Sequence, residues 1–208
     1  MKREAGLRPD PFTIEVIRNA LTAIAEEMSL VIMRSARSPL LREAGDLSSA
    51  LTDADGGLIA QGRDIPAHLG IMGSTVQAFL QRVPKAQLQP GDVWFLNLPE
   101  VGGNHLPDVK AIRPRCRILL AREAGAVQAF AVCLAHWADV GGARPGSYVP
   151  DARDAWQEGM RIPPLRVFTA DGTDREKLDV ILANVRGSEE REGDILAQMA
   201  ATRSADER

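Results

Sequence analysis

The N-terminal region carries a helical pattern of apolar residues. In DPFTIEVIRNALTAIAEEMSLVIMRSA, apolar side chains recur every three or four residues, at Ile14, Ile17, Leu21, Ile24, Met28 and Val31. This spacing predicts one apolar stripe on a helix of about six turns. We expect the helix to follow a turn at Asp10-Pro11 and to end near Ser38-Pro39, because the residue before a proline disfavours the α region.

Short apolar runs in the middle of the chain predict strands. The segment SSALTDADGGLIAQ contains two of them around residues 53–57 and predicts a hairpin whose glycines supply positive φ. Three further strands are indicated by DVWFLNL, VKAIRPRCRILL and AVQAFAVCLAHW, which Pro- and Gly-rich connections separate. Helical patterns return from about Ser74 to Arg82 and in two C-terminal segments separated near Gly187. The fold class is therefore α+β, with mostly antiparallel strands between helices.

Residues 140–165 are rich in glycine and proline and predict a long functional loop. Trp156, Met160 and Ile162 indicate that this loop is packed. Near the C-terminus, the helical face of Ile195, Leu196 and Met199 is expected to need a packing partner. We expect a flexible N-terminus at 1–9, one folded unit over 10–201 and a flexible tail at 202–208.

Composition narrows the class of protein. The 208 residues are 45% hydrophobic, and the formal charge is −3 without a basic cluster, which argues against nucleic acid as a partner. No apolar stretch reaches the roughly 20 residues of a membrane span, and the N-terminus lacks the apolar segment of a signal peptide, so we expect no membrane association and a cytoplasmic location. Cys116 and Cys133 are interpreted as packing residues. A phosphate-binding loop, G-x-x-x-x-G-K-[ST], and a G-x-S-x-G elbow are both absent from the sequence.

Two of the three histidines share one spacing. His105 precedes Asp108 in GGNHLPD, and His136 precedes Asp139 in AHWADVGG. Both pairs fall at predicted strand ends beside paired glycines, where a turn can bring imidazole and carboxylate together. Two imidazoles and two carboxylates suit Mn²⁺, Fe²⁺ or Zn²⁺ with open positions for water or substrate.

The spacing leaves a second interpretation open, in which each aspartate only orients its own histidine by a hydrogen bond and no metal binds. His68, in IPAHLG before a predicted helix, is interpreted as a capping or packing residue.

A series of segments in fixed order carries a family resemblance. These segments are DPFTIEVIRNAL, EAGDLSSALTDADGGLIAQG, IPAHLGIMGSTV, LQPGDVWFLNLPEVGGNHLPD, AHWADVGGARPGS, QEGMRIPP and ANVRGSEEREGDILAQ. From residue 10 to residue 201 the chain resembles the hydantoinase B family, which includes the B subunit of N-methylhydantoinase, the corresponding half of 5-oxoprolinase and the alpha subunit of acetone carboxylase.

The resemblance implies an enzyme subunit that works beside an ATP-using, hydantoinase A-like subunit. Its reaction would be hydrolytic opening of a small cyclic amide such as a hydantoin or 5-oxoproline, or a carboxylation as in the acetone enzymes. ATP would bind only to the partner, in keeping with the missing phosphate loop. A divalent metal is implied as well, with manganese preferred over iron or zinc.

For the site, the resemblance points to Asp108, His136 and Asp139 as metal ligands, with His105 as a fourth ligand or as the acid/base. Glu158, in QEGMRIPP, is a further candidate for catalysis.

Arg161 lies in the same segment and is likewise a catalytic candidate. Glu43 and Asp46, in EAGD, also lie in family-like sequence. For all of these charged residues, caps, turn hydrogen bonds and ion pairs are the alternative interpretation.

The chain also departs from the family pattern. It has Asn97-Leu98-Pro99-Glu100 where the family usually reads N-D-P-Y, Asn104 in place of a threonine, and Trp137 where many relatives carry a second histidine. Family members are more than twice as long, so the chain resembles their N-terminal portion. It is expected to pair with a missing C-terminal half or with another copy, and a catalytically silent remnant or assembly module is the alternative to an enzyme.

Overall fold

The computed structural model describes residues 10–68, 70–115 and 127–208. Seven strands form one sheet: β1 (Leu47–Asp53), β2 (Leu58–Gln61), β3 (Val93–Leu96), β4 (Asp108–Arg115), β5 (Ala129–His136), β6 (Leu165–Thr169) and β7 (Gly172–Thr173). Their order is β2-β1-β5-β4-β3-β6-β7, and all neighbours are antiparallel. The expected antiparallel sheet and the hairpin of β1 and β2 are thereby confirmed.

Helices cover both faces of this sheet. They are α1 (Pro11–Ser35), α2 (Pro39–Arg42), α3 (Ile71–Arg82), α4 (Ala155–Glu158), α5 (Arg175–Ala183) and α6 (Ser188–Glu207). Short 3-10 turns occupy Pro66–His68, Lys85–Gln87 and Pro99–Val101. One core cluster joins α1, α5 and α6 to one sheet face, and a second joins α3 to the other face. The class is α+β, as the sequence pattern predicts.

The first helix begins where the sequence places it. The Asp10 side chain accepts hydrogen bonds from the backbone N–H groups of Phe12 and Thr13, which caps the N-terminus. The helix ends at Ser35, ahead of Pro39, which opens α2. Residues 11–20 are all exposed, so the described part of the chain leaves the start of the apolar stripe uncovered, and only its later turns join the core.

The Gly/Pro-rich segment is ordered, but one of its apolar residues does not pack. Ile162 is fully buried and Met160 lies against the core, as expected. Trp156 is 75% exposed, so the expectation that it packs is wrong. Its ring instead lies 5.6 Å from the guanidinium carbon of Arg161, a contact that a surface indole can make.

The C-terminal helix corrects two expectations. Ile195 is fully buried, and Met199 lies against the core that α6 shares with α1 and the sheet, so these two residues already have their packing partner within the chain. Leu196, the third residue of the expected face, is 41% exposed. Residues 202–207, expected to be a flexible tail, continue α6, and Thr202 and Ala205 are buried.

A buried ion pair fastens α6 to the link between α1 and α2. Arg191 Nη1 lies 2.5 Å from Asp194 Oδ2, and both side chains are almost completely buried. The other carboxylate oxygen, Oδ1, accepts the backbone N–H groups of Arg37 and Ser38. Because α6 in turn contacts β4 and β5, this pair connects the helical layer to the strands that carry the histidines.

Cys133 agrees with the expectation that free cysteines of this chain are packing residues. Cys133 is buried in the middle of β5, and burial raises the pKa of its thiol to about 12. It is therefore a packing residue, whereas Cys116 lies outside the described residues. Among the helices of the described ranges, none has the length and apolar content needed to cross a bilayer.

Candidate metal centre

Asp108 is the centre of a polar cluster at one end of the sheet. It is the first residue of β4 and pairs in register with His136, the last residue of β5. Its Oδ1 atom lies 2.8 Å from His105 Nε2 and 3.0 Å from His136 Nδ1. One oxygen of a buried carboxylate thus faces two imidazole nitrogens.

His105 reaches this oxygen from the turn that precedes β4. The backbone N–H of Asp108 donates to the His105 carbonyl over 3.1 Å, which closes the turn over Leu106 and Pro107. The ring centroids of His105 and His136 are 4.9 Å apart. One ligand atom from each of His105, Asp108 and His136 lies within 4.8 Å of the others.

The second oxygen of Asp108 is held by an amide. Asn104 Nδ2 donates to Oδ2 over 2.9 Å, and Lys110 Nζ donates to Asn104 Oδ1 over 3.2 Å. Lys110 is two residues after Asp108 on β4 and is fully buried on the same sheet face. The cluster therefore includes a buried cation that fixes the orientation of the Asn104 amide.

His68 brings the third imidazole of the chain to the same carboxylate. Its Nε2 lies 3.7 Å from Asp108 Oδ2, and its Nδ1 lies 2.9 Å from Ser48 Oγ on β1. The side chain is buried, in keeping with a packing residue, but its neighbours are polar. The sequence interpretation did not include its approach to Asp108.

A second carboxylate lies beside His136. Asp46 Oδ2 is 3.8 Å from His136 Nδ1, and the Asp46 carbonyl accepts the His136 backbone N–H over 3.0 Å. Asp46 precedes β1, which pairs with β5, so sheet pairing brings it to the cluster.

The electrostatics follow from burial and these contacts. Burial alone would raise the pKa of Asp108, but hydrogen bonds from His105 and His136 outweigh it and hold that pKa well below its usual range. The bond to Asp108 raises the pKa of His105, whereas burial lowers the pKa of His68. Burial also lowers the pKa of Lys110 to about 8.

The donor set fits a divalent transition metal. Two imidazole nitrogens and one carboxylate oxygen are the ligands that Zn²⁺, Mn²⁺ and Fe²⁺ accept, and three protein ligands leave positions for water or substrate. Asn104 supplies the hydrogen bond to the outer carboxylate oxygen that is usual behind such ligands.

Asp139, a candidate ligand on the sequence, is not brought into this cluster. Its oxygens accept the backbone N–H groups of Gly141 over 2.6 Å and Gly146 over 2.8 Å, and Arg186 Nη1 donates to it over 3.1 Å. The carboxylate is thus occupied in holding a loop. The same spacing therefore brings Asp108 into contact with His105, whereas Asp139 binds loop amides and Arg186.

The two remaining candidates lie outside the cluster. Glu158 lines a cavity of about 190 Å³ together with His105. Arg161 forms an ion pair with Glu100, with 2.5 Å between Nη2 and Oε1, and its guanidinium group lies over the Trp156 ring. It does not line that cavity.

Comparison with known proteins places this chain in a family. Residues 10–208 match the family model described as Hydantoinase B/oxoprolinase. The beta subunit of caprolactamase from Pseudomonas jessenii is 33% identical over 192 residues, which cover 92% of this chain and 32% of that protein. 5-Oxoprolinase 1 from Arabidopsis thaliana is 35% identical over 158 residues, which cover 76% of this chain and 12% of that protein.

Solved structures give the same result. The crystal structure of the ATP-dependent caprolactamase from Pseudomonas jessenii superposes with a TM-score of 0.84 at 32% identity, over 95% of this chain and 33% of the other. Nucleotide-free acetone carboxylase superposes with a TM-score of 0.84 at 20% identity, over 96% of this chain and 26% of the other, which shows a shared fold alone.

The chain spans 33% or less of the length of these relatives. The family match nevertheless covers all but the first nine residues and agrees with the resemblance read from the sequence. This chain belongs to the Hydantoinase B/oxoprolinase family.

Proposed function

We propose that this chain carries the metal-binding part of an ATP-dependent hydrolase of the hydantoinase and 5-oxoprolinase type, which opens the C–N bond of a cyclic amide. The observation that supports this most directly is the convergence of His105, Asp108 and His136 in a member of this family. The similarity to a subunit of an ATP-dependent caprolactamase supports a reaction driven by ATP.

The metal ligands in this proposal are His105 Nε2, Asp108 Oδ1 and His136 Nδ1. Asp46, 3.8 Å from His136, is the candidate for a further carboxylate ligand. Manganese is the preferred ion, with iron or zinc as alternatives. When bound, the ion would polarise the ring carbonyl or lower the pKa of a bound water.

Surrounding residues orient the side chains of the cluster through hydrogen bonds. Asn104 engages Oδ2 of Asp108, which leaves Oδ1 directed at the two imidazoles. The buried Lys110 ammonium holds the Asn104 amide and offsets the charge of the carboxylate. Ser48 fixes one nitrogen of His68 and so turns the other toward Asp108.

Proton transfer falls to the groups that face the cavity. The His105 side chain is half-exposed there, and Glu158 lines the same space. Glu158 can accept a proton from an attacking water and return it to the ring nitrogen as the C–N bond breaks.

ATP enters the proposal through a second chain. The sequence lacks a phosphate-binding loop, so an A-type subunit would bind ATP and activate the substrate. That subunit is therefore required in any activity assay.

The test is co-expression of the chain with a hydantoinase A-like subunit. We expect about one Mn, Fe or Zn per chain by elemental analysis and ATP-dependent appearance of a ring-opened amino acid by mass spectrometry. Asp108→Asn should remove both. A well-folded chain without metal or turnover would favour the assembly module, and incorporation of labelled bicarbonate into a ketone would favour a carboxylase.

A further inference from the structure

A second cavity lies between α6 and the sheet, away from the metal cluster. It measures about 360 Å³, and its wall comes from the turn before β3, from β4, from the hairpin of β6 and β7, and from α6. This volume is within the roughly 300–1,000 Å³ range of small-molecule pockets. None of His105, Asp108 and His136 lines it.

The cavity is on the opposite face of the sheet from the Asp108 side chain. Side chains alternate along β4, so Arg113, which lines the cavity, points to the other face. Val109 and Ala111 share the face of Arg113 and pack in the core that α6 joins. Arg113 follows Asp108 by five residues of strand, a distance of roughly 17 Å. A ligand in this cavity would therefore not contact the metal ligands.

Close backbone packing forms one side of the cavity. Gly91 has a φ of +92°, and a Cβ there would lie 2.7 Å from the Ala170 Cα atom. The turn before β3 can pack directly on the hairpin of β6 and β7 because this residue is glycine. Thr169 and Thr173 bring two hydroxyl groups to the same side.

Arg113 is a buried cation with unused hydrogen-bonding capacity. It is 9% exposed, and its Nε atom has no hydrogen-bond partner among the described residues. Asp206 Oδ2 lies 3.5 Å from that atom, which is longer than an ordinary charge-assisted hydrogen bond. Buried guanidinium groups are normally hydrogen-bonded, so a ligand with oxygen acceptors would complete the contacts of this side chain.

A second arginine lines the cavity from α6. Arg203 donates from Nε to Glu207 Oε1 over 2.9 Å, and its two terminal nitrogens carry further donors. The nearby Asp206 carboxylate is shared by two arginines, at 3.5 Å from Arg113 and 3.7 Å from Arg115. Among the described residues that line the cavity, none is an aspartate or a glutamate.

One further carboxylate next to the cavity acts against an anion. Asp171 lies in the exposed turn between Ala170 and Gly172, although its own side chain does not line the cavity. Together with Asp206 and Glu207 it balances the charge of the three arginines. The attraction for an anion must therefore come from direct contact with the guanidinium groups in the wall.

We propose that this cavity binds a small phosphate-bearing molecule, whose phosphate group is held between Arg113 of β4 and Arg203 of α6. A phosphate offers acceptor oxygens in several directions, which suits donors that come from a strand, a helix and two threonine hydroxyls. The rest of the molecule would lie against Phe168 and Met199. The inference is independent of the proposed function, because the cavity and the metal cluster share no residue.

Protein-observed NMR tests this site, with inorganic phosphate as the probe. Phosphate is added to the ¹⁵N-labelled chain in a phosphate-free buffer near neutral pH, and the amide signals of residues 170–173 are followed. We expect saturable shifts with a dissociation constant on the order of 1 mM. Binding should weaken as sodium chloride is added, because salt screens the attraction between the arginines and the phosphate.

Variants of the two lining arginines separate a built site from general attraction of anions. Arg203→Gln removes one charge next to the phosphate and should raise the dissociation constant about fivefold or more. Arg113→Met, at a buried position, should raise it about tenfold or more. Arg18→Gln is the matched control and should leave it unchanged. Like Arg203, Arg18 pairs with a glutamate of its own helix, and the two side chains are 67% and 64% exposed.

Absence of saturable shifts over 170–173 would overturn the inference, as would equal affinity in Arg203→Gln and Arg18→Gln. Shifts confined to the metal cluster would place phosphate there and refute this cavity as its site. Succinate, which carries its charge on two planar carboxylates, is titrated in parallel, and equal binding would refute the assignment to phosphate. If Arg113→Met does not fold, Arg203→Gln alone decides between these outcomes.

Discussion

Asp108 and His136 are direct partners in the β4–β5 ladder, and Asp108 Oδ1 lies 3.0 Å from His136 Nδ1. Because side chains alternate between sheet faces, a register slip of one residue would send one of the two to the opposite face. The geometry of the cluster is thus set by the pairing of two buried strands.

Replacing the central carboxylate should abolish metal binding. Asp108→Asn removes the oxygen anion that faces both imidazoles, and we expect metal affinity to fall by more than about 100-fold. Asn104→Ala leaves all three ligands and removes only the bond to Oδ2, so a smaller loss of about 10-fold to 100-fold is expected. Competition titration with a chelating dye measures both, and Asp171→Asn in an exposed turn is the control. Equal losses in the two variants would contradict the assignment of Asp108 as a ligand.

Stability should respond to pH through His105. The pKa of His105 is raised in the folded state, chiefly by the bond to Asp108. The metal-free protein therefore gains stability from protonated His105, and this contribution is fully present below the pKa of the unfolded state, about 6.5. That contribution is lost as the pH rises through the folded value. Bound metal requires the deprotonated ring, so the increase in Tm on adding metal should grow over the same range. Thermal melts between about pH 5.5 and pH 7.5 measure this, a window below the Lys110 pKa of about 8.

His105→Gln is the control for that titration. Without the imidazole, the metal-free Tm should vary less steeply with pH than that of the unchanged protein. An identical slope in both proteins would show that another group causes the dependence.

Breaking the buried ion pair of α6 should destabilise the whole fold. Asp194→Asn weakens the bonds to Arg37 and Ser38 and removes the buried counter-ion of Arg191, which leaves the partly exposed Glu190 carboxylate at 3.7 Å. We expect the free energy of unfolding to fall by roughly 3–5 kcal/mol. Urea denaturation followed by circular dichroism measures the loss.

An exposed ion pair provides the comparison. Asp179 pairs with Arg175 at 2.8 Å with both side chains more than half exposed, and Asp179→Asn should cost less than about 1 kcal/mol. Similar losses for the two variants would mean that Asp194 does not fasten α6 to the α1–α2 link.

Replacing Arg186 should loosen the loop over residues 141–147 without disrupting the cluster of His105, Asp108 and His136. Arg186→Met loses the bonds to Asp139, Gly142 and Arg144, and amide hydrogen exchange over 141–147 should accelerate by about tenfold or more. Exchange in β4 and β5 should stay near that of the unchanged protein. Arg153→Met, at an exposed position, is the control. Unchanged exchange in Arg186→Met would show that Arg186 does not hold the loop.

The sequence predicts the elements whose pattern is local. The hairpin of β1 and β2 and the strand ends at Asp108 and His136 follow from apolar runs and turn residues, and the structure agrees. The exposed start of α1 could not be predicted, since an apolar stripe indicates a face to be covered but does not specify its neighbour.

The cluster could be predicted only in part, because most of its members are distant in sequence. His105 and Asp108 lie within one turn, but Asp46 and His68 reach the site through the pairing of β1 with β5 and through the turn before α3. Asp139 shows the opposite limit. Its contacts with Arg186 and the loop amides could not be predicted from its spacing to His136.

The antiparallel pairing of β4 and β5 also places Arg115 and Ala129 far from the metal cluster. The cluster lies where Asp108 pairs with His136, and Arg115 pairs with Ala129 at the opposite end of the two strands. Eight residues of strand span roughly 25 Å. A peptide tag or a fluorescent reporter inserted between Arg115 and Ala129 should therefore leave the metal content of the protein unchanged.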